Sequence, residues 1–121
     1  MTTGKFASLL AVAVAMSAGQ LLFKMAAQRS PGEWRADTTT LWSLVTNTYL
    51  IAALLLYSVT TVVWVYVLRD ASLSQSYPFM AIAMVMVPLA AVALFGEPLT
   101  TSLILGTGLV VAGILVVASG L

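Results

Sequence analysis

The sequence predicts an all-α membrane protein built from four transmembrane helices. Three observations carry that reading: the composition, the length of four apolar runs, and the chain breakers between them. Of 121 residues, 61% are hydrophobic and 7% are charged, too few ionic side chains to cover a globule in water. The solvent is therefore lipid. The apolar runs occupy roughly residues 5–26, 48–68, 73–95 and 100–120, each near the roughly 20 residues a helix needs to cross the hydrocarbon core. Residues 1–121 read as a single domain with one long link, residues 27–47.

The composition also removes several functions. The chain has no cysteine and no histidine, which takes away thiol chemistry, the commonest metal ligands and the usual neutral-pH general base. No cofactor or metal is expected, and no enzyme activity. A net charge of +1 supplies no basic surface for nucleic acid.

In the first run, Lys5 precedes an alanine-rich stretch in the manner of a secretory signal. The run continues to Phe23 and carries Gln20 and Lys24, so it is expected to stay as a span. Met16, Gln20 and Lys24 follow at i, i+4 and i+8 on one face, with Ser17 and Gly19 beside them. Lys24 lies about 28 Å along the helix from Lys5, near the far interface, and Gln20 is about 6 Å deeper. Lys24 has two readings: a lysine snorkelling to headgroups, or a cation offered to a phosphate or carboxylate at a cavity mouth. Gln20 binds either a substrate or a neighbouring helix.

The link contains Pro31-Gly32 and Glu33, then Asp37-Thr38 as a helix cap before Leu41, Trp42, Leu44 and Val45. A short interfacial helix is expected, with Trp34 and Trp42 at headgroup depth. The second span is rich in hydroxyls and rings. Tyr57, Thr61 and Trp64 share a face at i, i+4 and i+7, alongside Ser58 and Thr60, while Tyr66 suits the interfacial belt. Arg69 and Asp70 lie in the tight turn that follows.

Ser72, Ser74, Gln75, Ser76 and Tyr77 crowd the entrance to the third span, as helix caps or as an anion site on exposed N–H groups. Pro78 follows, and a further proline, Pro88, sits among Met80, Met84 and Met86. An interior proline in lipid suggests a lined cavity, because neighbouring groups must satisfy the freed carbonyl. Gly96-Glu97-Pro98 stops the helix, with Glu97 expected to be a solvated turn acid. The turns at 69–72 and 96–99 are short, so the second, third and fourth helices are expected to form a compact hairpin series.

The fourth span carries Gly106, Gly108, Ala112 and Gly113 among Val, Ile and Leu. Small residues let membrane helices approach closely, which suits a dimerisation face or packing within one subunit, and glycine is also ordinarily tolerated in membrane helices. An even number of spans puts both termini on one side. Lys5 and Arg69 fall on that side, and Lys24, Arg29 and Arg35 on the other, so the positive-inside rule gives little bias. Either a partner or folding order sets the topology, or the chain inserts both ways.

Gly19-Gln20-Leu21-Leu22-Phe23-Lys24, Ser76-Tyr77-Pro78-Phe79, Phe95-Gly96-Glu97-Pro98-Leu99-Thr100 and the Gly106–Gly113 stretch together resemble the drug/metabolite transporter superfamily. The resemblance covers essentially the whole chain and lies in the small-multidrug-resistance and EamA-like branch. It implies a dimer of four-helix units and alternating access around a site between subunits. Small multidrug exporters carry an essential glutamate two turns before the lysine. Here that position is Met16, and no carboxylate falls in mid-membrane. Proton antiport thus lacks its central part.

The first helix and the Tyr-Pro and Gly-Glu-Pro-Leu signatures are more similar to the paired subunits of the 4-amino-4-deoxy-L-arabinose-phosphoundecaprenol flippase. That likeness implies a multi-pass protein of the bacterial inner membrane that moves a lipid-linked sugar phosphate, as a homodimer or with a sister subunit. The candidate substrate-binding residues are Gln20, Lys24, Tyr57, Thr61, Trp64, Arg69, Tyr77 and Met80, and the candidate dimer face is Gly106, Gly108, Ala112 and Gly113. An exporter of small cationic or amphipathic molecules and a non-transporting accessory subunit remain as alternatives.

Overall fold

A computed structural model describes residues 3–29 and 36–120. Pro31, Gly32, Glu33, Trp34 and Arg35 of the long link lie outside the described residues. The described residues form α1 (Thr3–Arg29), α2 (Thr38–Val45), α3 (Thr48–Leu68), α4 (Leu73–Ser76), a 3-10 segment (Tyr77–Met80), α5 (Ala81–Phe95) and α6 (Thr101–Ser119). Four stretches are long and apolar enough to cross a membrane: α1, α3, the Leu73–Phe95 unit and α6.

Side-chain caps explain where most of these helices begin. Asp37 Oδ1 accepts from Thr40 N at 3.0 Å, which starts the short helix expected in the link. Asn47 accepts from Tyr49 N and Leu50 N and starts α3. Ser72 caps α4 and Thr100 caps α6 in the same way. Each such cap satisfies a backbone N–H that the helix itself leaves orphaned. Gly96 ends α5 in the left-handed region at φ 64°, which glycine enters without steric cost.

The third span is not one continuous α-helix. It breaks at Tyr77–Met80, where Pro78 enters the first turn of the 3-10 segment. Proline has no N–H to donate and its ring crowds the preceding turn, so the chain tightens there instead of continuing the α ladder. Pro88 lies within α5 without ending it.

The helix order differs from the expected hairpin series. α1 packs along both α3 and α5, and α6 touches α5 and the 3-10 segment from outside. Short turns fix the antiparallel direction of successive helices but leave open which helix lies between them. α1 takes the inner place because its contact surface is small: Ala13, Ser17, Gly19 and Ala26 are buried together with Leu9 and Val12. In lipid, close backbone approach replaces the hydrophobic effect as the source of helix association.

Both ends of α1 are tied. At the first end, Lys5 Nζ donates to the Asp70 carbonyl at 2.9 Å, and Phe6 meets Phe79 edge-on with centroids 5.0 Å apart. Leu9, Val67 and Phe79 form a buried cluster there, supported by Trp64 and Ile82. At the other end, Asn47 Nδ2 donates to the Ala26 carbonyl at 2.9 Å, and the Arg29 guanidinium lies 4.7 Å from the Tyr49 ring centre. Asn47 thus caps α3 and fastens it to α1 with one side chain.

Candidate functional site

The tying of α1 to α3 sets the first cavity. Gly19 is buried against Tyr57, and a Cβ at that position would lie 2.7 Å from the ring's Cδ2. Only glycine lets the ring approach α1 this closely. The Phe23 ring packs beside it, centroids 5.3 Å apart. Gln20 Nε2 donates to the Tyr57 hydroxyl at 2.7 Å, and that hydroxyl donates to the Met16 carbonyl at 3.3 Å. The Tyr57 O–H is therefore committed to holding α1 and α3 together, and its ring faces the cavity.

This cavity has a volume of about 140 Å³ and is lined by Val12, Met16, Tyr57, Thr60, Thr61, Trp64, Tyr77 and Met80. It gathers five of the sequence-read site residues, Tyr57, Thr61, Trp64, Tyr77 and Met80. Thr60 and Thr61 each donate their hydroxyl proton to a carbonyl four residues earlier, at 2.7 Å. What they retain is acceptor capacity, suited to an amine or hydroxyl. Tyr77 and Met80 reach the cavity because the 3-10 segment turns them off the α-helical register. Met16, where a multidrug exporter would carry its acid, is part of the lining.

A second cavity of about 290 Å³ opens between α1, α5 and α6, with Gln20, Lys24, Pro88, Phe95, Glu97 and Leu103 in its wall. Lys24 Nζ lies 3.6 Å from Glu97 Oε1, and the two side chains are 48% and 45% exposed. Glu97 is therefore not simply a solvated turn acid, as its position had suggested: the left-handed Gly96 turns the chain so that the next carboxylate reaches α1. Gln20 borders this cavity and hydrogen-bonds the Tyr57 that borders the other, so it is the link between them.

The remaining candidates lie elsewhere. Arg69 is exposed at the end of α3, beside the Asp70 that meets Lys5 and thus at the opposite end of α1 from Lys24. It lines neither cavity. On α6, Cβ atoms added at Gly106, Gly108 and Gly113 meet nothing within 4 Å, and Ala112 is exposed. The partly buried positions of α6 are Leu103, Thr107, Val110, Ile114 and Ala118, a different stripe of the helix. Packing within one subunit therefore does not account for these glycines.

Sequence reasoning left out Val12 and Thr60 as cavity wall, and Glu97 as the partner of Lys24. Thr60 stood in the hydroxyl-rich stretch of the second span, off the Tyr57–Thr61–Trp64 stripe that was singled out. The signal for Glu97 was its place directly after a helix-ending glycine, whose left-handed turn folds the chain back.

Comparison with known proteins places this architecture. The sequence model of the EamA-like transporter family matches residues 2–119. Over 107 residues the chain is 31% identical to the Probable 4-amino-4-deoxy-L-arabinose-phosphoundecaprenol flippase subunit ArnE of Hamiltonella defensa, covering 86% of each chain. Over 70 residues it is 36% identical to the correspondingly named subunit ArnF of Pseudomonas fluorescens, covering 56% of this chain and 51% of the other. That second match spans about half the length of the relative. No solved structure matches the chain. With four apolar helices of spanning length and a family match over nearly all of its residues, the chain belongs to the EamA-like transporter family.

Proposed function

We propose that the chain is one subunit of a flippase that carries a polyprenyl-phosphate-linked sugar, of the aminoarabinose type, across the bacterial inner membrane. The observation that carries this reading is the arrangement along α1: a cation at an open mouth, and a hydroxyl- and ring-lined cavity deeper in the bilayer, joined through Gln20 and Tyr57. Lys24 meets the phosphate by charge-assisted hydrogen bonds. Thr61, Trp64 and Tyr77 meet the sugar, with the threonine accepting from its amine or hydroxyls. The polyprenyl tail stays in lipid beside the helices, and Arg69 is left for the phosphate at the opposite face.

The dimer is part of the proposal. A cavity of about 140 Å³ is small beside the roughly 300–1,000 Å³ of sites that enclose a drug-sized ligand. A second subunit, identical or a sister chain, completes the site. The outward small residues of α6, Gly106, Gly108, Ala112 and Gly113, supply the surface for it. The names of the ArnE and ArnF relatives support the substrate class.

The test is translocation of polyprenyl-phosphate sugars in proteoliposomes, with the chain alone and together with a sister subunit. Transport in one of the two preparations is expected, and none in either overturns the reading. Within an active preparation, Lys24→Ala is expected to cut binding of the phosphate lipid about tenfold, as loss of a charge-assisted contact does, while Lys24→Arg keeps most of it. Equal affinity in the two variants returns Lys24 to a headgroup-snorkelling lysine.

A further inference from the structure

The phosphate assigned to Lys24 meets a group already in place. We infer that Glu97 is a resident counter-anion, occupying the phosphate's position on Lys24 when the site is empty and yielding it when the lipid enters; this rests on the flippase reading above.

Three observations bear on it. The ion pair sits in the wall of the mouth cavity, so an entering anion meets Lys24 and Glu97 together. Both side chains are about half exposed, and exchange there is easy, because ion pairs in high dielectric hold weakly. The carboxylate arrives on a turn and not on a helix: it follows the left-handed Gly96 and precedes the α6 cap at Thr100. It can swing into water without unwinding a span.

The exchange conserves charge. A polyprenyl phosphodiester bears one negative charge, as the glutamate does, so Lys24 is compensated in the empty and in the loaded state. Glu97 also discriminates. A lipid with a neutral headgroup cannot replace it, and the site stays closed to such lipids by its own carboxylate.

The measurement is equilibrium binding of a short-chain polyprenyl phosphodiester of an aminopentose to the purified protein at low ionic strength. The same polyprenol with a free hydroxyl serves as control. Wild type is compared with Glu97→Gln, Lys24→Ala and the double variant, each first checked for an unchanged unfolding midpoint without ligand. Glu97→Ala replaces Glu97→Gln if the amide disturbs the turn. Removing the competitor is expected to tighten phosphodiester binding by about two- to fivefold, the scale of an exposed ion pair, and the gain shrinks as salt screens the pair. The double variant should bind as weakly as Lys24→Ala. If wild type binds the phosphodiester and Glu97→Gln binds it no more tightly, the counter-anion role is overturned and the phosphate site stands. A gain that survives in the double variant does not pass through Lys24 and also overturns it. If neither wild type nor Glu97→Gln binds, the phosphate reading itself falls, and this inference with it.

Discussion

α1 and α6 are both apolar helices of spanning length that carry small residues, yet they use those residues in opposite ways. On α1, Ala13, Ser17, Gly19 and Ala26 are buried, consumed by contacts within the chain. On α6 no residue is buried, and its glycines face open space. Hydrophobicity does not distinguish the two helices, because lipid tails are as apolar as a protein interior. What distinguishes them is whether a small residue already has a neighbour. α1 organises the chain and the cavities at Tyr57 and Lys24, while the glycines of α6 have no neighbour within the chain.

The largest expected effect comes from making one substitution on both helices. Gly19→Leu drives a side chain into the Tyr57 ring, which Gln20 and the Met16 carbonyl hold in place. Overpacking of this kind costs about 1–3 kcal/mol or more, and transport should be lost with it. Gly108→Leu adds a Cβ that meets no atom of its own subunit within 4 Å. It should leave the monomer's unfolding midpoint within about 0.5 kcal/mol, as neutral surface substitutions do, and weaken association of subunits in liposomes. Denaturant unfolding and energy transfer between labelled subunits read the two effects separately. Equal destabilisation of the monomer by both variants would erase the contrast between the helices.

The same contrast explains what was legible in the sequence. The spans were, because length and apolarity are local: α1, α3, the Leu73–Phe95 unit and α6 begin and end within about three residues of their expected limits. So were the Asp37 cap, the stop at Gly96 and the shared face of Tyr57, Thr61 and Trp64, each a matter of near-neighbour chemistry. The inner place of α1 was not. A soluble helix marks its buried side with an apolar stripe, but these spans are apolar all round, and nothing in the pattern says which side meets protein. The break at Tyr77–Met80 was half visible, since Pro78 marked the entrance to the span but not that the chain tightens there into a 3-10 turn. The pairing of Lys24 with Glu97 joins residues 73 positions apart, which no local spacing reveals.

A smaller effect is expected at the tie between α1 and α3. Asn47→Ala removes the cap of α3 and the bond to the Ala26 carbonyl together. Loss of an N-cap costs about 0.5–2 kcal/mol, and loss of the bond to α1 adds to it. Asn47→Asp keeps the capping oxygen but cannot donate, so its difference from the wild type isolates the tie to α1, and its difference from Asn47→Ala isolates the cap. If Asp is as stable as Asn in denaturant unfolding, the cap alone matters and α1 is held at that end by other contacts.

The smallest change in stability, and the sharpest on function, is expected at Tyr57. Tyr57→Phe keeps the ring on Gly19 and removes only the hydroxyl that accepts from Gln20 and donates to the Met16 carbonyl. Interhelical hydrogen bonds in membranes average about 0.6 kcal/mol, so the unfolding midpoint should hardly move. Gln20, however, loses the partner that holds it between the mouth at Lys24 and the cavity at Thr61 and Trp64. Transport should therefore fall by clearly more than the change in stability accounts for, with binding at Lys24 retained. A loss of transport no larger than the loss of stability would mean that the hydrogen bond only fastens α1 to α3, and that the two cavities work without it.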